Sequence, residues 1–321
     1  MIDVLGLVPI AAEKREDFAA AGLNLITIGI DDDRAAIMRD TAATVRAAVT
    51  SGVYGVTGAE IAALKNVEII CTLGAGTDTI DMAAAEARGI AVTNGAGLNA
   101  DTVADHAMAL LLTAVRDVAH FDRQLRAGAD MTTIRRVRPG LAGKRIGIVG
   151  MGKIGSRVAD RGAKGFGMEA GYHNRNPVAD SPYRYFASLA ALADWANFLV
   201  VTAPGGAGSR HIVNADVLRA LGPKGFLVNA SRGSLVDTEA LVAALRDGTI
   251  AGAGLDVFEG EPDLPPGLRT LDNVVLTPHM AGLSFESIDA MFAIAIANIK
   301  AHFAGDPLTS VVLPGKGRRA G

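Results

Sequence analysis

Apolar positions fall into short runs, separated by stretches in which they recur every three or four residues. The runs at 2–8, 24–30, 45–49, 67–72 and 90–93 predict strands, and the helical spacing near 11–21, 32–40, 57–65 and 81–88 predicts helices between them. Such alternation is the mark of repeated strand–helix units around a parallel sheet. From about Asp101 to Arg126 the pattern becomes that of one long helix, with Val103, Ala107, Leu110, Leu111, Ala114 and Val118 on its apolar face. A helix of that kind suits a bridge between domains, a subunit interface or a plain core helix.

A second alternating series begins at Lys144, with strands predicted at 145–150, 168–173, 197–202, 225–230, 251–257 and 273–276. A last amphipathic helix covers about 284–304. No strand is expected after it, so it is returned to the first domain, which becomes discontinuous. No repeat of solenoid length and no low-complexity tract occurs. The basic tail, 314–321, reads as a solvated end.

Length supports two domains, since 321 residues exceed one ordinary α/β core. Half the residues are apolar and 38 are glycine, as buried parallel strands with tight turns require. A net charge of −3 gives no electrostatic reason to expect nucleic acid or an anionic membrane. The single cysteine, Cys71, lies in the apolar run 67–73 and is expected to be buried and inert. The N-terminus lacks a basic leader and no stretch approaches 18 uninterrupted apolar residues, so a soluble, cytoplasmic protein is expected. No metal is expected.

The turn Gly147-Ile-Val-Gly-Met-Gly-Lys-Ile-Gly155 joins a predicted strand to a predicted helix. Gly150 permits the tight turn, Gly152 lets backbone approach a pyrophosphate, and Gly155 allows close helix–strand packing. The helix N-terminus then offers unpaired N–H groups to the phosphates. Gly150, Met151, Gly152, Lys153, Ile154 and Gly155 are therefore candidate dinucleotide contacts. The next strand ends at His173 and continues Asn174-Arg175-Asn176-Pro177, with no carboxylate to accept from a ribose 2′-hydroxyl. Glu169 lies too early. Arg175, with Asn174 as a further donor, suits a 2′-phosphate, so NADPH is the expected cofactor, with NADH possible.

Three charged residues each fall just past an apolar run: Arg232 after 225–230, Glu261 after 254–258 and His279 after 273–278. In an open parallel sheet ligands bind outside the carboxyl ends of the strands, where these side chains should converge. Hydride delivery to a ketone leaves negative charge on oxygen. His279 is the natural general acid, Glu261 the carboxylate that favours its charged form, and Arg232 the planar fork for a carboxylate or carbonyl.

Five ordered motifs carry a resemblance that covers nearly the whole chain. They are Thr72-Leu-Gly-Ala-Gly-Thr-Asp-Thr-Ile-Asp81, the glycine turn, Val228-Asn-Ala-Ser-Arg-Gly-Ser-Leu-Val-Asp237, Gly254-Leu-Asp-Val-Phe-Glu-Gly-Glu-Pro262 and Leu276-Thr-Pro-His-Met-Ala-Gly282. The chain resembles the D-isomer-specific 2-hydroxyacid dehydrogenase family. The resemblance implies an α/β fold in which a Rossmann dinucleotide-binding domain, expected at 101–285, is inserted into a flavodoxin-like substrate domain, expected at 1–100 and 286–321. It implies catalytic roles for Arg232, Glu261 and His279, a substrate bound between the domains, and a homodimer. Leu73, Ala75 and Gly76 become substrate contacts, the amides of the last two serving a carboxylate, as the Gly-rich turn itself suggests. Further cofactor candidates are Ala203, Pro204, Ser209, Ala230, Ser231, Asp256 and Gly282, with Asp256 at the nicotinamide end. Asp237 reads as the cap of the helix that begins at Thr238.

The implied activity is NAD(P)H-dependent reduction of a small 2-keto acid to the D-2-hydroxy acid, with glyoxylate and hydroxypyruvate leading. Hydroxyphenylpyruvate, 2-ketogluconate and phosphohydroxypyruvate stay open, the last less favoured because no added regulatory domain follows. A glutamate at 261 argues against the family's formate dehydrogenases, where glutamine suits a substrate with no proton to transfer. Many glyoxylate and hydroxypyruvate reductases of the family carry Trp after an Arg-Ala-Gly turn, whereas Arg126-Ala-Gly-Ala-Asp-Met131 has no aromatic. Met131 can fill part of that space. Tyr54 is expected near the substrate carboxylate or in simple loop packing. The rival class is a dinucleotide-sensing binding protein of the same fold, against which three intact catalytic residues count.

Overall fold

The computed structural model describes residues 1–29 and 31–316. Ile30, at the end of the strand expected at 24–30, and residues 317–321 of the expected solvated tail lie outside the described residues. The chain forms two compact units, Met1–Asn99 with Ser284–Gly321, and Ala100–Leu283. The cuts fall at the first residue of one helix and the N-cap of another.

The first unit opens with β1 (Ile2–Gly6), α1 (Ala12–Ala20), β2 (Leu23–Thr27), α2 (Arg34–Thr41), β3 (Val45–Ser51), α3 (Gly58–Ala63), β4 (Ile69–Leu73), α4 (Met82–Arg88) and β5 (Ala91–Asn94). These strands pair in parallel in the order β5-β4-β3-β1-β2. Both faces of the sheet are buried, which is why the strands read as unbroken apolar runs. Val45, Ala48 and Ile70 face one core, shared with Ile61 and Leu64, while Ala47, Val49, Ile69 and Cys71 face the other. Burial pushes the Cys71 thiol up to about 12, so it stays protonated and unreactive.

The second unit begins where one long helix is expected and holds two. Helix α5 (Ala100–Arg116) packs Val103, Ala107, Leu110 and Leu111 against the second sheet's core, and α6 (Val118–Arg126) starts afresh. Asp117 breaks them, with φ at +57°. Its carboxylate is bound by Arg136 and Arg138 at 2.7 and 3.0 Å, which offsets the cost of the left-handed backbone, about 1–2 kcal/mol. The break is a tertiary effect imposed by a later loop.

Then follow β6 (Arg145–Val149), α7 (Lys153–Asp160), β7 (Glu169–His173), β8 (Arg184–Tyr185), α8 (Leu189–Trp195) and β9 (Phe198–Val201). The unit is completed by α9 (Ala215–Leu221), β10 (Phe226–Asn229), α10 (Thr238–Asp247), β11 (Gly252–Leu255) and β12 (Val274–Leu276). The seven strands are parallel, in the order β12-β11-β10-β9-β6-β7-β8. The order reverses at β6, between β7 and β9, which is the switch point where an open sheet leaves a crevice. Asp237 accepts from the Ala240 amide and caps α10.

The chain then returns to the first unit through α11 (Phe285–Ala304), which lays Phe292, Ala295 and Ile299 on the core below Ala47, Ile69 and Cys71. Contrary to the sequence reading, a strand does follow it. β13 (Val311–Leu313) pairs antiparallel with β5. Three residues are too few to show an alternation, and Asn298 aligns them by accepting from the Thr309 amide at 2.8 Å and donating to its carbonyl at 3.1 Å. Among the described residues, no helix is long and apolar enough to cross a membrane.

Candidate active site

The parallel strands of the second unit bring their following loops to one edge. At β6 the chain turns sharply through Gly150, whose φ is +98° and where a Cβ would stand 2.5 Å from Ala203 backbone. A side chain at Gly155 would collide with the Gly150 carbonyl. Both positions demand glycine for the reasons the motif implies. Thr202 locks the turn by donating to the Gly150 carbonyl at 2.8 Å. Gly152 is the extended N-cap of α7 and no side chain caps that helix, so its first-turn amides have no helical partner.

Beside this turn lies a cavity of about 790 Å³. Gly150, Met151, Gly152, His173, Asn174 and Arg175 form one side of it, and Ala203, Pro204 and Ser209 the other. Among the described lining residues none carries a carboxylate. Arg175 is exposed at the rim. The Asn174 amide oxygen accepts from Met151 N at 2.6 Å, which leaves its Nδ2 as a donor. His173 points Nδ1 at the Phe186 carbonyl, 2.8 Å away, so Nδ1 donates and Nε2 is the acceptor. Lys153, Ile154 and Gly155 sit in the first turn of α7 and do not line the cavity. Sequence reasoning missed Leu189, Gly206 and Ile212 in its wall, where a lone apolar residue or loop glycine gives no signal.

At the ends of β10, β11 and β12 stand the three charged residues. Nδ1 of His279 lies 2.6 Å from Oε2 of Glu261, and both side chains are partly exposed. Oε1 of Glu261 accepts from Phe258 N at 2.8 Å. Burial pushes the Glu261 carboxyl up, but the His279 and Phe258 hydrogen bonds, with the charges of His279 and Arg232, hold it below the usual carboxylate value. Arg232 begins a 3₁₀ turn after β10, and its carbonyl accepts from Asn229 Nδ2 at 2.9 Å. Ser231 donates its hydroxyl to the Ala203 carbonyl, tying this loop to the cavity wall, while Ala230 is buried beneath.

His279 is a non-glycine residue with φ at +52°. Asp256 holds it there. This carboxylate, 1% exposed, accepts from the Thr277 hydroxyl at 2.6 Å, Met280 N at 2.9 Å and Ala281 N at 2.8 Å. His106, on α5, donates through Nε2 to Thr277 Oγ1 at 2.9 Å. Burial pushes Asp256 up, but His106, whose Nε2 lies 3.5 Å from Oδ1, and the hydrogen bonds from Thr277 and the two amides outweigh it and hold it low. The oxygens of Asp256 are thus taken up by the turn that carries His279 and ends at Gly282, and not by the cavity. Nothing in the sequence singles out His106 beyond its being a polar residue on an apolar helix.

In the first unit the turn after β4 is clamped by its carbonyls. The Gly74 carbonyl accepts from Gly95 N at 2.7 Å, Ala75 from Asn94 Nδ2 at 3.1 Å, and Gly76 from Thr72 Oγ1 at 3.1 Å. The amides of Ala75 and Gly76, just past Leu73, have no partner among the described residues, an arrangement suited to an anion. Tyr54 is exposed in the turn after β3, and Met131 is exposed in the loop after α6. Among the described residues, no cluster of His, Cys, Asp or Glu is placed to hold a metal.

Comparison with known proteins places the chain in a family. Residues 108–281 match the family model described as D-isomer specific 2-hydroxyacid dehydrogenase, NAD binding domain. A glyoxylate/hydroxypyruvate reductase of Arabidopsis thaliana is 41% identical over 276 residues, 84% of each protein. A 2-ketogluconate reductase of Gluconobacter oxydans is 37% identical over 86% of this chain and 89% of its own. Among solved structures, an NADPH-dependent glyoxylate/hydroxypyruvate reductase of Sinorhizobium meliloti, in complex with NADP and malonate, superimposes with a TM-score of 0.86. It is 36% identical over 99% of both chains. The chain belongs to the D-isomer-specific 2-hydroxyacid dehydrogenase family, and its second unit is the family's nicotinamide-dinucleotide-binding domain.

Proposed function

We propose that this protein reduces a small 2-keto acid of the glyoxylate and hydroxypyruvate class to the D-2-hydroxy acid, with NADPH preferred over NADH. The observation that carries the reaction is the His279–Glu261 contact beside Arg232 at the carboxyl ends of parallel strands. A carboxylate only accepts, so Nδ1 of His279 keeps its proton and donates it in a hydrogen bond to Glu261, and Nε2 is the nitrogen that gives a proton to the substrate oxygen. Arg232 orients and polarises the substrate through its fork. The amides of Ala75 and Gly76 suit the substrate carboxylate. When bound, the nicotinamide supplies the hydride. Gly150, Gly152 and the first turn of α7 would hold its pyrophosphate, and Asp256 fixes the turn on which His279 is presented.

The preference for NADPH rests on the cavity wall, which has Arg175 and Asn174 at the end of β7 and no carboxylate among its described residues. The NADPH dependence of the Sinorhizobium enzyme supports it. The 2-ketogluconate reductase and a hydroxyphenylpyruvate reductase of Plectranthus scutellarioides, 39% identical, support larger keto acids as a second reading. We extend the proposal to a homodimer, because α6 and the loop after it expose Val118, Leu125, Met131 and Val137. Loss of NADPH or NADH absorbance with glyoxylate, hydroxypyruvate, hydroxyphenylpyruvate and 2-ketogluconate tests the reaction and ranks the substrates. No turnover with any of them would overturn it, and sedimentation velocity tests the dimer.

A further inference from the structure

We propose that His211 and Glu259 form a positioning pair that joins the dinucleotide cavity to the Glu261–His279 pair, an inference that rests on the functional reading above. Part of the segment 204–212 lines the cavity, through Pro204, Gly205, Gly206, Gly208, Ser209 and Ile212. It contains Gly205, Gly206 and Gly208, and its internal bonds are local, Ser209 donating to the Gly206 and Pro204 carbonyls at 3.0 Å. So glycine-rich a stretch has little conformational restraint of its own. Its far end is tied firmly. His211 takes a φ of +52°, uncommon outside glycine, and donates its amide to the Ser234 carbonyl at 2.8 Å. Its Nε2 lies 2.8 Å from Oε1 of Glu259, which also receives Arg210 at 3.0 Å.

Glu259 is engaged on both oxygens, since Thr238 donates to Oε2 at 3.1 Å. Burial pushes this carboxyl up, but the bonds from His211 and Thr238 hold it below its ordinary value, so it is ionised at neutral pH. Asp237 is a second acidic group facing His211, 4.0 Å from Nδ1. Glu259 sits in the turn between Phe258, whose amide orients Glu261, and Glu261 itself, which holds His279. The ties therefore run from the cavity wall through His211 to Glu259, and from that turn to the proton donor. The bond from His211 to Ser234 reaches the loop that carries Arg232 as well. A dinucleotide that steadies the wall thereby steadies the carboxylate and imidazole that must be aligned when the hydride moves, and removing the pair uncouples the two.

The test uses the full-length chain with His211→Ala, Glu259→Ala, the double variant and Glu259→Gln. NADPH is titrated by fluorescence, and keto-acid turnover is followed against pH. Each alanine variant should raise the Kd for NADPH about 3–10-fold and lower kcat about 10–100-fold, with the double variant no worse than either single, as expected of groups that act as a unit. The alkaline limb of the kcat profile should shift in these variants, and Glu259→Gln, which keeps the shape and the acceptor, should recover most of the loss. Additive losses, or both parameters within twofold of the parent in the single variants, would overturn the pair; so would lowered melting temperatures with unchanged kcat and Kd. A parent that reduces no keto acid overturns the functional reading instead. The titration then decides the pair, matched non-additive losses of NADPH affinity supporting it and unchanged affinity refuting it.

Discussion

Nδ1 of His279 and Oε2 of Glu261 are 2.6 Å apart, although 18 positions separate them and each arrives on a different loop. The contact assigns the ring's proton inventory, because a carboxylate cannot donate. Nδ1 stays protonated and Nε2 is the exchangeable site.

Replacing His279 with Ala should therefore lower keto-acid turnover by about 10²–10⁴-fold, the usual worth of general acid catalysis. The cavity lining does not include His279, so NADPH affinity should stay near that of the parent. Steady-state turnover and a fluorescence titration check both halves, and turnover within threefold of the parent would refute the role.

Glu261→Gln should lower kcat about 10–100-fold and leave NADPH affinity near that of the parent. The carboxylate can only accept from Nδ1 of His279 and so fixes Nε2 as the nitrogen toward the substrate oxygen, whereas a glutamine can turn either its oxygen or its NH2 to the ring. Steady-state turnover and a fluorescence titration measure this, and a kcat within threefold of the parent would show that the two residues do not act together.

Arg175 should decide between the dinucleotides. Arg175→Ala should cost kcat/KM for NADPH about 10-fold or more and leave NADH nearly unchanged, because a bidentate charged contact to a 2′-phosphate is lost. A parent that prefers NADH, or a variant with the same ratio, would contradict the assignment.

Asp256→Asn tests the anchor beneath His279. The folded carboxyl lies below its ordinary value, so its contribution is complete above the unfolded value near pH 4 and is lost as pH falls through the folded one. An asparagine keeps one acceptor oxygen and places an amine against the Ala281 amide. At pH 7 this should destabilise by about 3 kcal/mol, roughly 5–10 °C in melting temperature. The gap between parent and variant should narrow in acid, below pH 4. A gap that is constant or that widens there would mean Asp256 does not anchor the turn as an anion.

Much of this was legible in the residues themselves, for definite reasons. A parallel sheet sends every strand end to one edge, so charged residues placed just after apolar runs, as Arg232, Glu261 and His279 are, mark a candidate site before any contact is known. The glycine turn is legible because its backbone demands are local. Phe258-Glu259-Gly260-Glu261 shows the limit: two glutamates two positions apart look alike, and only the fold turns one toward His211 and the other toward His279. Asp117 is similar, since the arginines that hold its left-handed backbone come from a loop about twenty residues later. β8 and β13, two and three residues long, are too short for any periodicity to register.

The return of α11 and β13 to the first unit also sets an order of birth. A ribosome completes the whole second unit before it delivers Phe292, Ala295 and Ile299, the apolar lid over Ala47, Ile69 and Cys71. Through that interval the first sheet has one greasy face and one edge at β5 without their covers, while the second unit already holds every strand it needs. The nascent first unit is thus the part exposed to chaperones and to edge pairing with its neighbours, and it waits for its closure on a domain folded in the middle of its own sequence.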